Sequence, residues 1–139
     1  MVCGAANGQC RLVTWGAFMS VATQTVLVIE GDLPTREVIQ ALLQDEGYLV
    51  ETAVGGAALA RIQAGGICLV LLDMRLPSEY GGGIIPQVAA LAQGPPVVAM
   101  SASREFLADA QAAGAQATLA KPFGLDELLN LVARHCPPA

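Results

Sequence analysis

The chain reads as short apolar runs separated by stretches in which apolar residues recur every three or four positions. Residues 26–30 (VLVIE) are β-branched and apolar and end on an acid, which reads as a buried strand. Pro34 suits a first helical turn with Asp32 or Leu33 as cap. Val38, Ile39, Leu42 and Leu43 follow at helical spacing, and Gly47 stops the helix. Residues 48–52 (YLVET) alternate as a strand. Residues 55–64 form a weak helix anchored by Leu59 and Ile62, its two leading glycines lowering its propensity. Residues 68–72 (CLVLL) are the most apolar run and predict a central strand that ends at Asp73. Then come a helix over 84–91, with Pro86 tolerated near its start, and a strand over 96–100 (PVVAM). A fourth helix over 103–113, a short fifth strand over 117–120 and a last helix over 125–134 complete the series. Leu128, Leu129 and Val132 of that last helix face inward.

Five strands alternating with five helices is a (βα)5 pattern, with each connection long enough for a right-handed crossover. It predicts an α/β fold: a doubly wound, parallel five-stranded sheet in the flavodoxin-like order 2-1-3-4-5. Ligands in such sheets bind beyond the carboxyl ends of the strands, where the strand order reverses. The pattern covers one domain over residues 25–136, with 137–139 as a tail. Residues 1–24 match nothing downstream. Residues 12–22 (LVTWGAFMSVA) are too short to span a bilayer. Their faint likeness to a secretory signal is outweighed by two plainer readings: a disordered extension, or a natural start at Met19.

Composition narrows the chemistry. Hydrophobic residues make up 54% of the 139 positions and charged ones 14%, a balance suited to a packed core. The net charge of −5, with seven scattered cations, leaves no basic face for a phosphate backbone, so direct nucleic-acid binding is not expected. No pair among Cys3, Cys10, Cys68 and Cys136 has CxxC spacing, and the single histidine, His135, lies at the end of the last helix. This argues against a zinc site and against a Ser–His or Cys–His catalytic centre. Cys68, in its apolar run, reads as a small core residue. The cysteines are expected as free thiols in a reducing cytosol, which places the chain in the cytoplasm and away from membranes.

The strand ends carry the informative residues. The first strand ends at Glu30, followed by Gly31 and Asp32, and the third ends at Asp73. The fourth runs into Ser101-Ala102, and the fifth into Lys121-Pro122-Phe123. Carboxylates, a hydroxyl and an amine thus converge on one rim. Lys121 is the only lysine, and a compact ammonium suits a single phosphoryl oxygen in a crowded site.

With these motifs in place, residues 26–135 resemble the receiver domain of two-component signalling. The matching features are the acid after the first strand (Glu30), LLDMRLP around Asp73, Gly81 in the following loop, Ser101-Ala102, and Lys121-Pro122-Phe123. The resemblance implies that Asp73 is a phosphoacceptor, Lys121 pairs with a phosphoryl oxygen, and Ser101 is a switch residue that bonds the attached phosphoryl group. It implies Mg²⁺ held by the acids and by the backbone carbonyl of Arg75, and a cis peptide bond at Lys121–Pro122. It further implies that the phosphoryl group comes from a histidine kinase or a phosphotransfer protein, so the chain is not itself an enzyme.

Two positions depart from the family. Where a second acid usually ligates the metal, the chain has Gly31. Water, Glu30 or Asp32, in that order, could fill the gap, and metal binding is expected to be weak. Where the family often has a mobile aromatic three positions before the lysine, the chain has Thr118, so the usual switch is altered. The first reading is a stand-alone receiver that signals to a downstream protein through helix 4, strand 5 and helix 5. The alternative is a pseudo-receiver that keeps the fold without phosphorylation. A haloacid-dehalogenase-type phosphatase would need an Asp at position 75, where Arg75 stands. A flavin carrier would need a phosphate-binding loop in place of EGDLPTR, and a cobalamin module a ligand histidine.

Overall fold

The structure, a computed structural model, describes residues 24–54, 56–75 and 83–138. Ten elements alternate along it: β1 (Thr25–Ile29), α1 (Leu33–Asp45), β2 (Leu49–Thr52), α2 (Gly56–Gln63), β3 (Ile67–Asp73), α3 (Ile84–Ala89), β4 (Val97–Ser101), α4 (Arg104–Ala113), β5 (Ala117–Ala120) and α5 (Leu125–His135). The strands are parallel in the order β2-β1-β3-β4-β5, the doubly wound topology expected from the pattern. The extension expected before residue 24 and the loop residue Gly81 lie outside the described residues.

β1, β3 and β4 read as unbroken apolar runs because both of their faces are covered. One face carries Leu27, Ile29, Val70, Leu72 and Ala99 against Ala58 and Ile62 of α2, Ile85 and Val88 of α3 and Ala110 of α4. The other carries Val26, Val28, Leu69, Leu71 and Met100 against Ile39 and Leu43 of α1 and Leu128 and Val132 of α5. Asp32 caps α1 by accepting the Thr35 N–H, and Ser103 caps α4 by accepting the Phe106 N–H. Gly114 ends α4 in the left-handed region, at φ 118°, a conformation that glycine adopts without strain.

The structure departs from the sequence pattern in two ways that matter. Val38 is exposed, not inward-facing: Ile39 and Leu43, four apart, define the buried stripe of α1, and Val38 lies one residue off it. More consequentially, Cys68 and Cys136 are not free thiols. They form a disulfide across a Cα–Cα distance of 5.8 Å. Their separation of 68 residues hid the pairing from any spacing argument, because only the fold brings the amino end of β3 to the end of α5.

Candidate functional site

Parallel strands in register bring their carboxyl ends to one rim. Asp73, the last residue of β3, lies level with Met100, and Ser101, the last of β4, lies level with Ala120. Backbone bonds from Met74 N–H to the Met100 carbonyl (2.9 Å) and from Lys121 N–H to the Ser101 carbonyl (2.9 Å) carry the sheet's registration into the loops. A cleft of about 390 Å³ opens there, lined by Asp73, Arg75, Ser101, Ala102, Ser103 and Lys121. Four of the predicted residues therefore share one cavity. The Lys121–Pro122 bond is cis, as the family resemblance implied.

Glu30 stands behind the cleft, fully buried. Lys121 Nζ lies 2.8 Å from Glu30 Oε1 and 3.6 Å from Asp73 Oδ2, so one ammonium bridges two carboxylates. The Asp32 N–H donates to Glu30 Oε2 (3.1 Å), and the Arg36 guanidinium donates to the Glu30 carbonyl (3.2 Å). Burial holds the Glu30 carboxyl above the usual carboxylate range, and the Asp73 carboxylate adds to this. Lys121 and the Asp32 N–H pull the other way without reversing it. The Arg75 N–H donates to Asp73 Oδ1 (3.2 Å), and the Ser103 N–H donates to Ser101 Oγ (3.0 Å).

Two predicted residues lie elsewhere. The exposed Asp32 carboxylate accepts the Thr35 hydroxyl and backbone N–H, which hold it below its ordinary value. Thr118 is half-buried in the middle of β5 and does not line the cleft. The structure also adds residues that the sequence did not single out. Ser103, read only as a helix start, lines the cleft, and Arg36 buttresses Glu30. The Arg75 guanidinium lies 5.1 Å from the centre of the Phe106 ring, linking the residues just after β3 to α4. Arg36 and Phe106 sit one turn inside their helices, where no pattern marks them.

The donor set bears on a metal. Among the described residues no group of three His, Cys, Asp or Glu side chains gathers as a metal site. Asp73 and Arg75 line the cleft and carry hard oxygen donors, a carboxylate and a backbone carbonyl, whereas both Glu30 oxygens are already engaged. This set fits a largely hydrated Mg²⁺ better than a fully caged one.

The comparisons with known proteins agree with this geometry. The profile of the response regulator receiver domain matches residues 26–133. The transcriptional regulator NtrC of Rhizobium meliloti is 34% identical over 113 residues, covering 79% of this chain and 23% of that protein. The sensor histidine kinase AruS of Pseudomonas aeruginosa is 38% identical over 116 residues, 78% of this chain and 12% of that protein. The chain thus spans less than a quarter of the length of either relative. Among solved structures, the chemotaxis protein CheY4 of Vibrio cholerae superposes with a TM-score of 0.71 at 30% identity, covering 80% of this chain and 97% of that one. A receiver domain of a Pseudomonas aeruginosa sensor histidine kinase, solved with magnesium coordinated in its active-site cleft, superposes at 0.73 with 28% identity over 81% of this chain and 97% of that one.

Proposed function

The chain belongs to the response regulator receiver domain family of two-component signalling, and from that premise we propose that Asp73 accepts a phosphoryl group from a phosphohistidine on a histidine kinase or phosphotransfer protein. One observation carries the reading: the Asp73 carboxylate ends β3 in a cleft where Lys121 Nζ lies 3.6 Å away and Ser101 lines the wall.

In the reaction an Asp73 carboxylate oxygen attacks phosphorus. The phosphorus–nitrogen bond to the donor imidazole breaks, its electron pair stays on the imidazole, and an acyl phosphate forms on Asp73. Lys121, shared between Glu30 and Asp73, is placed to neutralise a phosphoryl oxygen as charge accumulates. The Ser101 hydroxyl is a donor for another oxygen once the group is attached. Asp73 and the Arg75 carbonyl are the residues that would hold Mg²⁺, while Glu30, engaged by Lys121 and the Asp32 N–H, stands behind them. When bound, the ion screens the repulsion between the two anions. Ser103 and Arg75 connect the cleft to α4, and α4, β5 and α5 are the face we assign to a downstream protein. On this reading the chain is a phosphorylated switch in the cytoplasm and turns over no substrate of its own. Among the described residues no helix is long and apolar enough to cross a membrane.

Acetyl phosphate with Mg²⁺ should label the wild type with a hydroxylamine-sensitive phosphoryl group, and Asp73→Asn should take up none. Equal labelling of the two proteins rules out Asp73 as acceptor. A second reading, a receiver that binds partners without phosphorylation, draws on Gly31 and on the engagement of both Glu30 oxygens. It prevails if the wild type takes up no label at any Mg²⁺ concentration.

A further inference from the structure

The end of the sheet remote from the phosphoacceptor holds a second chemical feature. β3 pairs with β1 in regular parallel register except at one point: Thr25 is level with Ile67, and Val26 with Leu69. Cys68 is the extra residue, a β-bulge. Bulges re-aim side chains, and this one breaks the in–out alternation of β3. Cys68, Leu69 and Leu71 all join the layer facing α1 and α5, whereas Ile67 and Val70 face the opposite layer. Strict alternation back from Leu69 would point Cys68 away from α5. The bulge turns it toward Cys136.

Cys136, the residue after α5, is held from three sides. Its N–H donates to the Val132 carbonyl at 2.7 Å, its carbonyl accepts the Tyr48 hydroxyl at 2.6 Å, and its sulfur is bonded to Cys68. Its Sγ also lies 3.7 Å from Gln24 Oε1. In the disulfide this sulfur carries no hydrogen. In the thiol, S–H would find that oxygen within reach of a sulfur hydrogen bond. The Cys136 thiol would therefore have an acceptor in the reduced form. The two residues differ in exposure, since Cys136 is fully buried and Cys68 only partly.

We propose that Cys68 and Cys136 are a reversible thiol–disulfide site that exchanges with low-molecular-weight disulfides of the glutathione class and locks or releases the end of α5. Oxidation begins at Cys68, the more exposed of the two residues. The Cys68 thiolate attacks one sulfur of the oxidised reagent, forming a mixed disulfide and expelling one thiolate. The Cys136 thiolate then attacks the Cys68 sulfur and expels the second. Two protein thiols lose two electrons and two protons, and one disulfide reagent becomes two thiols. In the locked form the last turn of α5 is covalently tied to the amino end of β3. In the open form it is held by the Val132 and Tyr48 bonds and by side-chain packing, so it frays more readily. Asp73 lies at the other end of β3, and the proposal stands whether or not Asp73 is phosphorylated.

The test uses the full chain equilibrated across ratios of reduced to oxidised glutathione, quenched in acid, alkylated with a maleimide and mapped as peptides. Mapping separates this pair from Cys3 and Cys10. Cys68 and Cys136 should leave the alkylated pool together, with a linked peptide replacing them. Amide exchange at residues 132–136 should be at least tenfold slower in the oxidised form. With Cys136→Ser, Cys68 should accumulate as a glutathione adduct, and with Cys68→Ser, the buried Cys136 should carry none. The proposal is overturned if both thiols stay fully alkylated when oxidised glutathione is in large excess. Identical exchange at the end of α5 in the two forms overturns it equally. Both decisive measurements use the wild-type protein and need no variant to fold.

Discussion

Lys121 is asked to serve two carboxylates at once, and its position shows which one holds it more firmly. Its nitrogen is 2.8 Å from Glu30 and 3.6 Å from Asp73, so Glu30 is the tighter partner. Glu30 meanwhile resists ionisation, chiefly because it is buried, and this fixes the sign of its linkage to stability. Its value in the folded chain is raised, so its contribution is fully present below the ordinary value of 4.5 and is lost as the pH rises through the raised value. Relative to Glu30→Gln, which cannot ionise, the wild type should therefore lose stability as the pH rises from 4.5 toward neutrality. Urea denaturation of both proteins across that range measures the difference. A gap that instead widens in favour of the wild type would mean that pairing with Lys121 outweighs burial. Gly31 acts in the same neighbourhood by offering no carboxylate where the receiver resemblance leads one to expect a second acid. Gly31→Asp should tighten Mg²⁺ by about tenfold, the equivalent of about 1.4 kcal/mol, and should speed acetyl phosphate labelling in parallel. Calorimetric titration of the two proteins decides it, and equal affinities would show that the vacant position is already served.

The seam between β2, β3 and the end of α5 is held by polar and covalent links as much as by packing. α5 buries only Leu128 and Val132 completely, and β2 is an edge strand with most of its side chains open to solvent. The Tyr48 hydroxyl, just before β2, reaches the Cys136 carbonyl and satisfies an acceptor that would otherwise be buried and unpaired. Tyr48→Phe should destabilise the chain by about 1–2 kcal/mol, because it removes the donor and strands the carbonyl. Burial raises the Tyr48 hydroxyl above its ordinary value of 10.0, so this contribution is present below pH 10.0 and disappears as the pH rises through the raised value. The difference between wild type and variant, read by denaturation, should hold steady through neutral pH and close in alkali. A difference already absent at neutral pH would mean that water replaces the tyrosine.

Across the whole molecule, the alternation of strands and helices was legible because β1, β3 and β4 are buried on both faces and each reads as an unbroken apolar run. The cleft residues were legible for a related reason: parallel strands deliver whatever follows them to one rim, so Glu30, Asp73, Ser101 and Lys121 could be grouped before any distance was known. Features that depend on side-chain direction across the fold were hidden. The bulge at Cys68 leaves no mark in an apolar run, and Val38 sits in a helical pattern that is one residue wider than the stripe α1 buries. Arg75 and Phe106 meet only because the fold brings the start of α4 beside the end of β3. The bond between Cys68 and Cys136 also has a mechanical side. It closes a ring running from β3 to the end of α5 that contains Asp73, Ser101 and Lys121 and leaves Glu30 outside. A force applied at the two chain ends bypasses that ring, because the load crosses the sulfur–sulfur bond instead of the enclosed strands. Stretched between optical traps, the oxidised chain should fall short of the reduced one by roughly 230 Å of contour, the span of the 68 shielded residues at about 3.4 Å each. Under tension β1, α1, β2 and α2 would unravel, while the segment bearing Asp73 stays looped.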